Sequence, residues 1–321
     1  LKLALKSYFS TYNSMGNNFN LIKKEEQLKK NEQFVETKEY IERYIQTIIH
    51  FQHFFELYLK SIVRNIDELL VLDFVKDSYI LYKLIKNEEV TPNEYGKINT
   101  VEFSRALEIF ENLLDKDIIN PKYKFIKEEI ESIKKLNTLR NRILHRGLYI
   151  LEYKDLDIFI VKRILPIIRE ILVLEYDSSN YEICIGKKLD IDLDIIEELC
   201  KEGKELDIDY SSVALLKELG RSSYNNPLYS KDEGFGDINK SLNHIMIKRF
   251  EDIAKIETKI EQVDHIEKCP CCGLKTLVCY IDEEYDYDEY EGNYYISDVF
   301  NIFREATCTC CNFSLNQFIK E

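Results

Sequence analysis

The segment LNTLRNRILHRG, residues 136–147, decides how the first half of the chain is read. It sets Arg140 beside Asn141, places His145 four residues after Asn141, and ends on Gly147. Residues four apart share one face of a helix, so Asn141 and His145 lie together while Arg140 sits further round the cylinder. One such helix presents an incomplete set of groups. Two of them face to face would pool two arginines and two histidines in one cleft. The segment therefore points to chemistry and to a homodimer. The bland reading pairs Arg140 with a nearby glutamate and leaves His145 as a helix-end residue favoured by the dipole.

Working outward, Pro121 suits the start of the helix that carries this segment, with Ile126, Ile130, Ile133 and Leu136 turned inward. A long helix is expected from Thr37 to Asn65, where Tyr40, Ile41, Tyr44, Ile48, Phe51, Phe55, Tyr58, Leu59 and Ile62 recur at helical spacing. Within it, His53 is assigned to solvent or to a satisfied core hydrogen bond, and Glu56 with Lys60 to a stabilising i,i+4 pair. Shorter helices are expected at 66–73 and 77–86, and the stretch Thr91–Gly96 as a loop. Thr100 is a candidate N-cap for a helix from Val101 to Asp115, with Phe103, Leu107, Phe110 and Leu114 inside. After a short connector, a helix over 155–175 carries Pro166, which is expected to kink it.

The flanks are less patterned. Leu1–Phe9 suits a short strand or helix, Ser14–Asn18 a turn, and Lys23–Lys30 an exposed helix or linker. Residues 177–262 form a connector with a small hairpin expected over 181–186 and 189–193, and helices at 193–204, 211–219 and 237–262. Ser222–Gly236 suits a loop, and Cys184 and Cys200 suit buried thiols.

The end of the chain has the pattern of a metal site. Cys269-Pro-Cys271-Cys272-Gly273 and Cys308-Thr-Cys310-Cys311 each contain a C-x-x-C. Two such pairs supply the four thiolates of tetrahedral zinc, and four thiolates close the coordination sphere, which marks a structural rather than a catalytic ion. The expected ligands are Cys269, Cys272, Cys308 and Cys311, with Cys271 and Cys310 as competitors and Cys279 as a bystander. The arrangement resembles a zinc ribbon, with strands near 275–281, 294–303 and 312–319. Its gap between cysteine pairs is long and holds an acidic, tyrosine-rich loop from Asp282 to Glu291.

Composition bounds the possibilities. The 321 residues suffice for two or three domains, and 45% hydrophobic with 32% charged residues describes a folded, soluble protein. Nine cysteines, an odd number at C-x-x-C spacing, argue for metal in a reducing cytoplasm rather than disulfides. No apolar run is long enough for a membrane span, and no signal-peptide pattern opens the chain, so a cytoplasmic location is expected. The chain begins with Leu1 rather than Met, so residues preceding it are expected to be missing or processed. The net charge of -14 opposes nucleic-acid binding, but residues 261–321 account for -9 of it, while 122–146 hold eight bases and three acids. The field around the Arg140 segment therefore suits a phosphate.

Arg140-Asn141 followed after three residues by His145, late in a long helix of an all-helical domain, resembles the HEPN superfamily. The resemblance covers residues 36–176. It implies an up-and-down helical bundle and a metal-independent endoribonuclease of the kind found in toxin–antitoxin and antiviral defence systems. It further implies His145 as acid/base, Arg140 as phosphate stabiliser and Asn141 as the positioning residue, with Arg142 and Arg146 as substrate contacts. The chemistry agrees with these residue types. Cleavage through the ribose 2′-OH needs a base, an acid for the leaving 5′-oxygen and a cation on the phosphorane, and it leaves a 2′,3′-cyclic phosphate. Histidine titrates near neutrality and arginine forks onto phosphate. Some HEPN toxins carry a modifiable tyrosine two residues after the histidine; here that position is Gly147, so inhibition by that route is not expected.

The expected architecture is mainly α: an N-terminal extension (1–35), a HEPN-like helical bundle (36–176), a mixed connector (177–262) and a zinc-ribbon-like β module (263–321). Expected partners are RNA, a second copy of the chain, and an antitoxin, sensor or other protein. No cofactor is expected for catalysis and no membrane as partner. The alternative is a non-catalytic protein whose bundle dimerises and whose ribbon binds a protein or nucleic acid.

Overall fold

A computed structural model describes residues 1–14, 38–73, 77–146, 150–176, 189–228, 236–260, 262–290 and 293–316. It is mainly helical, with one four-stranded antiparallel sheet near the C-terminus. No helix among the described residues is long and apolar enough to cross a membrane. The chain divides into two compact units, one over 45–149 and the other over 2–44 with 150–321.

In the first unit the long helix runs Lys38–Arg64, its opening turns counting with the second unit. Ile48, Phe51, Phe55, Leu59 and Ile62 are buried on one side, as their spacing requires, whereas His53 is exposed. Lys60 donates to Glu56 at 2.7 Å and to Thr100 at 3.0 Å. Burial alone would raise Glu56, but its hydrogen bonds from Lys60 and Gln52 hold it below the usual carboxylate value. Thr100 is therefore not the N-cap expected of it. It forms a β-bridge with Leu72, and the helix begins later, at Phe103, after Glu102. The expected loop at 91–96 contains one helical turn, Pro92–Tyr95, closed by reciprocal hydrogen bonds between Thr91 and Glu94. The segment after Pro121 is broken rather than continuous: a 3-10 turn Pro121–Tyr123, a short helix Lys124–Glu128, then the helix Ile130–Arg146. Ile130, Ile133, Leu136 and Leu139 bury one face of that last helix, which packs against Phe103–Asp115.

The second unit opens with the helix Lys2–Phe9, which packs on Tyr210–Asn225. The approach is close because Gly220 has no side chain: a Cβ there would stand 2.4 Å from the Phe9 ring. The expected helix at 155–175 is three pieces, Tyr153–Phe159, a π-helical turn Ile160–Ile164, and Leu165–Glu175. Pro166 has no N–H to donate backwards, and the π turn just before it absorbs the irregularity, with the Leu165 N–H reaching the Ile160 carbonyl. Further helices span Ile195–Glu202, Tyr210–Asn225 and Gly236–Glu257. Residues 222–225, expected in a loop, extend the second of these. Residues 189–193 are not a strand; Asp190 and Ile191 instead donate backbone hydrogen bonds to the Pro270 carbonyl. The other half of that expected hairpin, 181–186 with Cys184, lies outside the described residues, as do most of Ser14–Asn18 and all of Lys23–Lys30.

The sheet is a meander of β1 (Val263–Lys268), β2 (Lys275–Tyr290), β3 (Asn293–Cys308) and β4 (Ser314–Asn316). The acidic stretch expected as a loop is strand: 282–290 belong to β2 and pair with β3 through Tyr290 and Asn293. Tyr285 and Tyr287 recur at the two-residue period of a strand, and tyrosine favours a pleated surface. The long gap between the cysteine pairs is thus a hairpin that projects beyond the paired ends of β1 and β4.

Candidate functional site

Arg140, Asn141, Arg142, His145 and Arg146 all lie on the last turns of the Ile130–Arg146 helix. Asn141, Arg142 and His145 are exposed and Arg140 is half-buried. The Arg140 guanidinium donates to the Asn141 Oδ1 at 2.9 Å. Among the described residues no carboxylate pairs with Arg140, so the glutamate partner of the bland reading is not found. Elsewhere on the segment the positive charge is partly neutralised. Lys127 pairs with Asp115, and Lys134 with Glu131 at 3.0 Å and Glu111 at 3.8 Å. Leu144, 50% exposed, adds an apolar side chain beside these polar groups. Gly147 lies outside the described residues.

The cysteine site is built differently. The Sγ atoms of Cys269, Cys272, Cys308 and Cys311 all lie within 4.8 Å of one another. Cys269 and Cys311 stand 3.6 Å apart, and Cys272 and Cys308 3.7 Å. Four sulfurs around one tetrahedral ion at ~2.3 Å would stand about 3.8 Å apart, so the donor set fits a metal ion. The two loops that carry the sulfurs are copies of one turn. Cys269 N–H donates to the Leu274 carbonyl and Gly273 N–H to the Cys269 carbonyl; Cys308 N–H donates to Phe313 and Asn312 N–H to Cys308. Each turn closes on a left-handed residue, Gly273 at φ 75 and Asn312 at φ 57. Gly273 is doubly required, because a Cβ would also meet the Asp190 carboxylate at 2.3 Å.

The competing cysteines fall outside the cluster of four. Cys271 directs its sulfur to the Leu219 carbonyl at 3.7 Å, and the Cys310 N–H donates to the Cys308 sulfur at 3.4 Å. Hydrogen bonds with Cys269 and Cys308 hold the Cys272 thiol far below its ordinary value. A hydrogen bond with Cys269 brings Cys308 down to about 7, while bonds with Cys269 and Cys271 push Cys311 far up. A bound cation would let all four become thiolates together. Around the sulfurs pack Leu189, Leu219, Leu277 and Phe313. The outer layer is polar. The Glu218 carboxylate accepts the Ser314 N–H at 2.7 Å and pairs with Arg221, which also donates to the Asn312 carbonyl.

One cluster has no counterpart in the sequence reading. Asp157 and Lys217, both fully buried, pair at 2.9 Å. The same carboxylate accepts from Tyr8 at 2.7 Å and from Tyr12. The Lys217 ammonium lies over the Tyr12 and Tyr8 rings, 3.6 and 4.4 Å from their centroids. Burial pulls Lys217 down to about 8 against the attraction of Asp157. Asp157 and Lys217 are 60 residues apart, and no local pattern announces the pair.

In comparisons with known proteins, no family model, curated protein or solved structure matches this chain.

Proposed function

We propose that the chain is a metal-independent endoribonuclease of HEPN type that works as a homodimer, in a toxin or antiviral defence setting. One observation carries the reading: Arg140 is hydrogen-bonded to Asn141 rather than to a carboxylate, on the solvent-facing turns that also expose His145. A guanidinium held by a neutral amide keeps its full charge for a phosphate. Two copies meeting through this face would bring two histidines to one scissile bond, one as base toward the 2′-OH and the other as acid toward the 5′-oxygen. The exposed Leu144 supplies apolar contact for such a meeting. Arg142 and Arg146 are assigned to the substrate backbone. The four-cysteine cluster is assigned to a structural zinc, which takes no part in cleavage.

The test is incubation of purified wild-type and His145→Ala protein with total RNA and transfer RNA, with and without EDTA, reading the 3′ ends. EDTA-resistant cleavage by wild type alone, leaving a cyclic phosphate, is the expected result. Cleavage that persists in His145→Ala, or that EDTA abolishes while the fold survives, contradicts the reading. The second reading, a non-catalytic interaction protein, has its own observation in the exposed hairpin of β2 and β3, and it expects no cleavage by either protein.

A further inference from the structure

Among the described residues, nothing covers the side chains of the outer part of the β2–β3 hairpin. Beyond Ile281 and Glu305 the two strands pair only with each other among the described residues. A two-stranded ribbon is marginal in water by itself, and long unpaired strand edges invite association. Directly opposed residues of an antiparallel pair share a face, so the register sorts the side chains. Tyr285 opposes Val299, Tyr287 opposes Ile296, and Tyr294 continues the same face. These five side chains are 40%, 52%, 59%, 52% and 73% exposed, in that order. They form one apolar stripe across both strands. The opposite face carries Asp282, Glu284, Asp286 and Asp298 together with the exposed Ile302, Phe300 and Tyr295, and Glu283 shares the face of the stripe, so acids flank apolar side chains on both sides of the ribbon. Across 281–303 the sequence holds eight acidic residues and no lysine or arginine.

Charge selects the occupant. Packing the stripe of one copy on that of another would bring two such acidic ribbons together, and like charges at this density repel. The same field rejects nucleic acid. We infer that this hairpin is a docking arm for a cationic polypeptide, one whose apolar residues cover the Tyr285–Val299 face while flanking lysines or arginines meet the acids around it. The inference is independent of the nuclease reading, because it uses none of the Arg140–His145 residues.

The test uses the full chain and a labelled synthetic peptide of alternating lysine and valine, read by fluorescence anisotropy. Its controls are the same peptide with glutamate in place of lysine, and oligolysine. Two variants address the two halves of the argument: Tyr287→Ser with Val299→Thr for the stripe, and Glu284→Lys with Asp286→Lys for the field. Unchanged metal content in both shows that the ribbon is intact. The lysine–valine peptide is expected to bind wild type in preference to both controls. Each double variant is expected to weaken it at least about tenfold, as is a rise in salt that shortens the Debye length from ~30 to ~10 Å. Equal binding of the glutamate peptide or of oligolysine overturns the inference. So does binding that ignores Tyr287→Ser with Val299→Thr. A dimer of wild type that this same double variant dissolves also overturns it, in favour of a second copy as the occupant.

Discussion

The cysteine cluster and the Arg140–His145 face differ in how much of each site one chain supplies. Around the sulfurs, two matching turns fix four backbone hydrogen bonds, two residues are held at positive φ, and a hydrophobic layer and the Glu218–Arg221 pair close the outside. Around Arg140, among the described residues, there is a hydrogen bond to the neighbouring Asn141, and His145 is exposed. The first site is complete in one copy, and its geometry is over-determined. The second, on the proposed reading, is half a site. Its residues are positioned by helix periodicity and the Arg140–Asn141 hydrogen bond, and the proposed chemistry would need a second surface. The contrast shows why a four-cysteine cluster can be judged within one chain, whereas the proposed composite centre can be judged only in an assembly.

The largest expected effect sharpens the closed side of this comparison. Purified protein should carry about one metal ion per chain. Cys272→Ser should empty the site and unfold the ribbon, since binding of a structural ion contributes on the order of 10 kcal/mol; Cys271→Ser should retain the ion. Elemental analysis with circular dichroism reads both, and equal metal loss in the two variants would break the ligand assignment. Next, Lys217→Met leaves the Asp157 carboxylate buried without its cation and should destabilise by about 3–5 kcal/mol in urea unfolding. Adding Asp157→Asn should recover much of that loss. The pH dependence has a definite sign. Above about pH 8 the folded chain releases the Lys217 proton, while the unfolded chain keeps it to about 10.4. Between those values the unfolded state binds more protons, so this group makes stability rise with pH. Lys217→Met should abolish that rise.

On the open side, His145→Ala should lower RNA cleavage by about 10²–10⁴-fold. Its melting should move by no more than the equivalent of about 0.5 kcal/mol, because the side chain is exposed. A large loss of stability would place His145 among structural residues and erase the contrast. The smallest effects separate the two turns of the metal site. Gly273→Ala forces a Cβ into αL backbone and against Asp190, and should cost about 1–3 kcal/mol. Asn312→Gly relaxes the matching position and should change stability by less than about 1 kcal/mol.

What the sequence revealed follows the range of the forces involved. The helix Lys38–Arg64 was legible because its aromatic side chains repeat at the helical period. The four clustered cysteines were legible because a C-x-x-C turn is a local object. The acidic hairpin was misread as loop because its run of carboxylates hides the two-residue period of Tyr285 and Tyr287. Thr100 was misread as a cap because the competing partner, Lys60, comes from 40 residues upstream. The Asp157 cluster could not be found at all, since Tyr8 reaches it from 149 residues away. Whether a second copy completes the Arg140–His145 face belongs to no single sequence position.

The π turn at Ile160–Ile164 sets the rotational phase of everything after it. An α-helix advances its side chains about 100° per residue, and one wider turn resets that count. Upstream of it Asp157 points into the buried ion pair; downstream Ile168 and Leu172 are buried and Arg169 meets Glu197. Wound instead as unbroken α-helix, the same residues would turn the downstream stretch by most of one residue's ~100° relative to the upstream one, so Ile168 and Asp157 could no longer both face inward. The wider turn, more than the identity of its apolar residues, is what keeps the two buried faces in phase.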